Sequence, residues 1–166
     1  MTLIENLDEK NIIHALLEGA FLGSFIFHTH FQLIFDCQQD KEFRDKKLPR
    51  EITLTILSDW WFGDKEEWDC TVKRMTEGCN YVEPEEPVLA FKLAALRWSG
   101  GAYIDSVNIS PEKTELIFCG GESITILNHD IEDCAWEIYE TNYKDRNNCW
   151  SVLCDGHDEI SYDIPT

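Results

Sequence analysis

The chain has 166 residues, of which 43% are hydrophobic, and its formal charge of −18 comes from 32 acidic against 14 basic side chains. This length is typical of one domain, and the hydrophobic content is enough to form a buried core, which excludes a disordered chain. The negative charge disfavours binding to nucleic acid or anionic membranes, and it favours cations and basic proteins as partners.

The start of the chain, MTLIENLDEKN, lacks the basic and apolar regions of a secretory signal. No apolar run approaches the ~18 residues that a membrane-spanning helix needs. Seven cysteines, an odd number, are scattered along the sequence and favour reduced thiols over a disulfide framework. We therefore expect a cytoplasmic protein.

The first predicted unit is a helix followed by three strands. Apolar residues at helical spacing before Gly19 predict a helix whose N-cap is Asn6 or Asp8. Two strands with a turn between them are predicted within residues 22–35. Alternation of threonine with apolar residues predicts a third strand at residues 53–56.

The second predicted unit has the same order. Acidic residues and a proline at residues 85–87 open an apolar run that ends at Gly100, which is the expected punctuation of a helix. Three strands with turn residues between them are predicted after it, at residues 104–109, 114–119 and 123–127. Beyond this unit, a last hairpin is predicted from strands at 149–153 and 159–162.

Four sequence blocks of the first unit recur in the same order in the second. GAFLGSF matches GAYIDSV at an offset of 82 residues, whereas TILS matches TILN at an offset of 70. The difference between the two offsets predicts an insertion at residues 38–49 of the first copy. Together with Arg50, this insertion holds five of the 14 basic residues.

These elements predict an α+β fold with antiparallel sheet, in a single domain that covers residues 1–166. The domain is expected to consist of two pseudo-repeated α-β-β-β units, at residues 6–70 and 85–140, and a C-terminal hairpin at 147–166. Chance similarity between two β-rich halves is the alternative to a repeat. The sequence leaves open whether the two units share one sheet or form two.

Two groups of residues are candidate metal ligands. His28 and His30 would point the same way from a strand, as at the start of a cupin metal site, which they resemble. The glutamate that the cupin site requires a few residues further on is missing. Cys149, Cys154 and His157 offer thiolate and imidazole ligands for zinc, but without paired CxxC motifs. Ordinary structural roles are the alternative for both groups.

Catalytic signatures are absent from the sequence. It contains neither the GxSxG motif of hydrolases nor the GxxxxGK[ST] phosphate loop. We therefore expect a protein that is not an enzyme and that needs no metal or other cofactor. A metal-dependent enzyme that uses His28 and His30 is the alternative.

Acidic clusters mark the candidate partner-binding surfaces. One lies in the stretch WWFGDKEEWD and its flank, and a second follows the third strand of the other unit. Together they supply the predicted partner-binding residues Asp59, Trp60, Trp61, Asp64, Glu66, Glu67, Trp68, Asp69, Asp130, Glu132 and Asp133. A third cluster comprises Asp155, Asp158, Glu159 and Asp163.

The mixture of tryptophans and carboxylates in WWFGDKEEWD indicates a binding surface. Exposed tryptophans supply much of the binding energy at interfaces, and carboxylates accelerate association with a basic partner. We expect one tryptophan to be buried and the rest of the segment to form a rim that meets a cationic protein. A solvated acidic loop over ordinary core tryptophans is the alternative.

Residues 101–136, GAYIDSVNISPEKTELIFCGGESITILNHDIEDCAW, resemble the repeated unit of a group of small bacterial proteins. In that unit a strand ending in Leu-Ile-Phe is followed by a glycine turn and a strand that leads to a tryptophan. Several such acidic domains look like immunity proteins of toxin–antitoxin or contact-dependent inhibition systems. The resemblance transfers no functional residues.

This resemblance implies an immunity protein. Together with the charge of the chain, it leads to the hypothesis of a cytoplasmic immunity protein that neutralises a basic toxin, with a nuclease as the expected toxin, by occluding its active site. The negative charge of the chain supports a nuclease as the toxin, because carboxylates placed in a basic cleft imitate a phosphate backbone. An acidic nucleic-acid mimic that inhibits DNA-binding enzymes is the alternative.

Overall fold

A computed structural model describes residues 5–129, 134–157 and 159–166, with backbone alone at residues 5–7. The described helices are α1 (Glu5–Leu17), α2 (Lys65–Met75) and α3 (Glu85–Trp98). The described strands are β1 (Phe21–Phe27), β2 (Phe31–Asp36), β3 (Glu42–Phe43), β4 (Lys46–Lys47), β5 (Glu51–Ile56), β6 (Trp60–Phe62), β7 (Ile104–Ile109), β8 (Lys113–Phe118), β9 (Ser123–Leu127), β10 (Trp136–Glu140), β11 (Ser151–Cys154) and β12 (Ile160–Asp163). Within this part of the chain, no helix has the length and apolar character needed to cross a membrane.

The strands form two main sheets, and every pairing among the described strands is antiparallel. One sheet has the order β1-β2-β5-β10-β11-β12 and the other the order β6-β9-β8-β7, while β3 and β4 form a separate hairpin. Two strands change sheets, since β6 follows β5 but pairs with β9, and β10 follows β9 but pairs with β5. This exchange joins the sheets into one α+β body, which confirms the predicted α+β class with antiparallel sheet.

The starts of β1 and β7 connect the two sheets. The amide of Leu22 donates to the carbonyl of Ala102 at 2.9 Å, and the amide of Ile104 donates to the carbonyl of Ala20 at 3.0 Å. Gly19 precedes this junction with a φ of +78°, and a Cβ there would collide with the amide of Gln38. The left-handed backbone favours glycine at this position, and any larger residue would also have to displace the side chain of Gln38.

The core lies between the helices and the inner faces of the sheets. The predicted apolar face of α1 is fully buried, and α3 buries one face against the same core. The four α1 residues concerned are Ile12, Ile13, Leu16 and Leu17. Burial of each such side chain contributes about 1.5–3 kcal/mol. Helix packing therefore fixes α1 and α3 against the sheets.

A buried polar network holds the end of β9. Asn128 is 2% exposed. Its Oδ1 accepts hydrogen bonds from Trp136 Nε1 at 2.8 Å and from Thr114 Oγ1 at 2.9 Å, and its Nδ2 donates to the Ser110 carbonyl at 2.8 Å. Because Trp136 belongs to the six-stranded sheet and Thr114 to the four-stranded sheet, this amide links both sheets.

The structure confirms most of the predicted elements and adds others. The strands predicted within 22–35 are β1 and β2, and the strand predicted at 104–109 is β7. The predicted insertion at 38–49 contains the β3–β4 hairpin, whose turn residues Arg44 and Asp45 have φ values of 50° and 60°. Two consecutive positive φ values are typical of the turns that connect tight hairpins. Strand β10 was not predicted.

Candidate partner-binding groove

The stretch WWFGDKEEWD forms β6, a sharp turn and the first turns of α2. Gly63 ends the strand with a φ of +70°, a conformation that favours glycine. Asp64 is the N-cap of α2, and its side chain accepts hydrogen bonds from the amides of Glu66 and Glu67, both at 3.0 Å. The carboxylates of Glu66 and Glu67 lie at the positive end of the helix dipole. These three acidic residues therefore start the helix.

Trp68 is the buried tryptophan of the segment, with 3% of its surface exposed. Its ring centroid lies 6.0 Å from that of Trp60 and 6.3 Å from that of Phe62, and Trp60 contacts Phe31 at 4.9 Å. Trp60 and Trp61 are half-buried. We expected Trp60 or Trp61 to be the buried ring, but the buried ring is Trp68, which was predicted to bind the partner and instead packs beneath the surface.

A groove of about 410 Å³ lies above this aromatic cluster. It runs between β6, the first turns of α2 and the start of α3. Its lining residues are Ser58, Asp59, Trp60, Trp61, Lys65, Trp68, Asp69, Glu83, Glu85, Glu86 and Leu127. The structure thus brings five of the predicted residues, Asp59, Trp60, Trp61, Trp68 and Asp69, together with three carboxylates that were not predicted.

The groove carries an excess of negative charge. Its lining holds five carboxylates and a single ammonium group, that of Lys65. Lys65 Nζ is bound to both carboxylate oxygens of Asp69 at 2.6 Å and lies 5.9 Å from the centre of the Trp61 ring. The remaining carboxylates line the same groove as two half-buried indole rings, an arrangement that attracts the ammonium or guanidinium group of a partner.

Burial and neighbouring carboxylates disfavour the ionised form of Glu86 at the start of α3. The pKa of Glu86 is raised above its ordinary value by burial and by the neighbouring charges of Glu83 and Glu85. Both causes disfavour the ionised form. A cation placed between these side chains would relieve the repulsion, so the groove fits a basic guest.

The other predicted residues do not line the groove. Asp64, Glu66 and Glu67 are exposed at the start of α2, outside the groove lining. The predicted residues Asp130, Glu132 and Asp133 lie outside the described residues. The missed carboxylates lie in the run EPEE at residues 83–86, which sequence reasoning used only as the start of a helix. The density of acidic residues in this run, three in four, is the signal that could have identified them as site residues.

A second, larger hollow of about 540 Å³ lies on the outer face of the six-stranded sheet. Gln32 Nε2 donates a hydrogen bond to the hydroxyl of Tyr139 within it at 3.3 Å. Its charged lining residues include Arg146 as well as Glu137 and Asp163. This mixture of charges does not select a basic partner, so the acidic groove is the better candidate site.

The histidine candidates lie in a turn. Residues 28–30 connect β1 to β2, and His28 Nδ1 is 2.9 Å from the hydroxyl of Thr29. Turn residues do not alternate as strand residues do. His28 and His30 therefore lie in the turn between the first two strands, which removes the strand alternation on which the metal hypothesis depended.

The cysteine candidates are buried thiols. Cys149 Sγ donates to the carbonyl of Arg146 at 3.4 Å, and Cys154 Sγ donates to that of Asn128 at 3.6 Å. The pKa of Cys149 is raised by burial and by nearby carboxylates, which disfavours the thiolate that binds zinc. His157 is exposed. Across the described ranges, no group of three or more His, Cys, Asp or Glu side chains is placed to hold a metal ion.

None of the seven cysteines, each of them among the described residues, takes part in a disulfide. Burial raises the pKa of Cys37 from 9.0 to about 12, and the charge of Asp36 adds to the shift. Cys70, Cys79 and Cys119 are exposed.

Comparison of the chain with protein-family models, with curated proteins and with solved structures finds no match. The resemblance of residues 101–136 to small bacterial immunity proteins therefore has the support of sequence spacing alone. Function has to be inferred from the geometry and charge of the groove.

Proposed function

We propose that this chain is a cytoplasmic immunity protein of bacteria that binds a basic protein toxin. The observation that carries the proposal is the groove, in which five carboxylates and two half-exposed indole rings face one ammonium group that is already paired. The toxin in this proposal is a nuclease. A nuclease holds phosphates in a basic cleft, and the carboxylates of the groove would occupy the positions of those phosphates.

The aromatic residues of the groove supply binding energy that charge alone does not. Trp60 and Trp61 are each worth about 2 kcal/mol or more if they act as interface hot spots. The carboxylates would raise the association rate, and this contribution weakens with salt because the Debye length is only ~8 Å at physiological ionic strength. Tight binding and salt-sensitive association are the properties that toxin neutralisation requires.

Inhibition in this proposal is steric. The immunity protein covers the active site of the toxin, so it needs neither catalysis nor a cofactor. The framework beneath the groove is packed, since Trp68 is buried under it and β6 pairs with β9 along its edge. Preorganised side chains lose less entropy on binding. The proposal places the protein in the cytoplasm, where thiols are kept reduced.

Co-expression tests the proposal. The gene directly upstream should encode a toxin, and its toxic domain should arrest growth unless this chain is produced with it. We expect Glu83→Gln combined with Glu85→Gln to lower protection, because both carboxylates line the groove. The matched control removes two exposed carboxylates of the β3–β4 region, Asp40→Asn with Glu42→Gln. Equal protection by both double variants would contradict the groove as the binding site.

We also propose that the two helix-plus-three-strand units are a pseudo-repeat. In support, β1 has a bulge between Leu22 and Ser24, and β7 has one between Ile104 and Ser106. The two bulges are 82 residues apart, which is the same offset that aligns GAFLGSF with GAYIDSV. An experimental structure with bulges at unequal positions would contradict a common origin of the two units.

A further inference from the structure

Helix α3 has an uncovered apolar face opposite its buried one. At 100° per residue, the outward residues span an arc of about 140° that contains no charged side chain. They are Pro87, Ala90, Phe91, Ala94, Ala95 and Trp98. Phe91 is 61% exposed and Trp98 is 89% exposed. Helices that are apolar on both faces are normally buried. The exposed apolar face of α3 therefore indicates a binding surface.

The flank of α3 carries opposite charges at its two ends. Glu86 lies in the first turn and Arg97 in the last turn, three helical turns apart on the same side. None of the ion pairs formed among the described residues involves either of them. The guanidinium of Arg97 lies 5.4 Å from the centre of the Phe21 ring, which keeps it beside the helix.

We propose that the partner of this face is α3 of a second copy of the chain, packed antiparallel around a two-fold axis. In a two-fold pair the same flank of each helix meets its counterpart in the opposite direction. Glu86 of each copy then lies opposite Arg97 of the other. Ala94 lies near the middle of the stripe, where a small side chain lets the two helices approach closely, and Ala90 lies at the edge that carries Glu86 and Arg97.

A second copy fits this face better than a basic partner does. A basic surface would meet Arg97 at one end of the stripe, whereas the antiparallel copy presents Glu86 there. The two exposed rings, Phe91 and Trp98, offer roughly 300 Å² per copy. With the alanines, the proline and the flanking charges, the interface reaches the lower end of the ~1,200–2,000 Å² of specific complexes. The dimer is therefore expected to be reversible and concentration-dependent.

The net charge of −18 per chain opposes the association of two copies, whereas the same charge favours a complex with a basic toxin. Salt screens the repulsion between the two copies, so we expect dimerisation to strengthen as sodium chloride rises. Binding to a basic toxin changes with salt in the opposite direction. The two surfaces meet at Glu86, which also lines the groove. The dimer itself does not depend on the proposed function, and its test needs only the purified chain.

Sedimentation equilibrium of the full chain, from low-micromolar to near-millimolar concentration, tests the proposal. We expect a monomer–dimer equilibrium in the wild type and a monomer in Trp98→Glu, at unchanged circular dichroism because this side chain is exposed. Tyr143→Glu, at an exposed aromatic residue in the loop after β10, is the matched control and should dimerise as the wild type does. A wild type that stays monomeric throughout, or a Trp98→Glu variant that dimerises normally, overturns the proposal.

A charge exchange tests the antiparallel geometry. Glu86→Arg and Arg97→Glu each place like charges opposite one another at both ends of the interface, so each should weaken the dimer about tenfold. The double variant E86R/R97E restores the complementary pairs and should recover most of the affinity. A double variant as weak as the single ones, with circular dichroism unchanged, overturns the antiparallel arrangement.

Discussion

Replacing Asn128 with alanine should destabilise the fold by more than the removal of so small a side chain implies. The change removes three hydrogen bonds and leaves the indole N–H of Trp136 and the hydroxyl of Thr114 without their partner in a buried site. Each buried polar group that loses its partner costs about 1–3 kcal/mol. The Ser110 carbonyl is half-buried and can turn to water. We therefore expect a loss of about 2–5 kcal/mol, against a total stability of about 5–15 kcal/mol.

Urea denaturation, followed by tryptophan fluorescence and far-ultraviolet circular dichroism, measures this loss. Asn108→Ala on the exposed side of β7 is the matched control and should change the free energy of unfolding by less than about 0.5 kcal/mol. The reasoning would be refuted if Asn128→Ala and Asn108→Ala lost similar amounts. A changed denaturant slope would indicate altered compactness and would require a second probe.

Three further predictions concern the core and the thiols. Trp68→Ala should cost about 3–5 kcal/mol of unfolding free energy by urea denaturation, because the ring is buried beneath the groove. Iodoacetamide at pH 8, read by mass spectrometry, should label Cys70, Cys79 and Cys119 before Cys37. Between pH 9.0 and about 12 the thiol of Cys37 ionises only in the unfolded chain, so stability should fall as pH rises. A Cys37→Ala variant should lose this component.

Each of these three predictions has a result that would contradict it. A Trp68→Ala variant of nearly unchanged stability would place that ring at the surface. Rapid labelling of Cys37 would show that its thiol is accessible. Identical alkaline stability profiles of the wild type and Cys37→Ala would mean that burial does not raise the pKa of this thiol.

Local sequence signals predicted much of the fold. Gly19 and Gly100 marked the ends of α1 and α3 because glycine readily adopts the positive φ that follows a helix. Alternating patterns located β5 and β7. The exchange of β6 and β10 between sheets could not be predicted, because β6 has only three residues and its partner is set by tertiary packing.

The candidate site was predicted in part. WWFGDKEEWD was recognised as a binding segment, but its sequence could not separate the acids that line the groove from those that start α2. Asp69 and Glu66 are three residues apart, yet only Asp69 faces the groove. Glu83 and Glu85 reach the site from the start of α3, a contact that depends on the packing of α2 against α3.

The most direct test of the central claim is the affinity of the chain for the toxic domain encoded directly upstream, measured by calorimetry at low and high salt. We expect salt to weaken binding, and we expect Trp61→Ala combined with Glu86→Gln to reduce affinity at least tenfold, which corresponds to about 1.4 kcal/mol. The same variant should bind with a shallower salt dependence, since one groove carboxylate is gone. An affinity that neither salt nor this variant changes would contradict a charged, tryptophan-lined groove as the toxin-binding site.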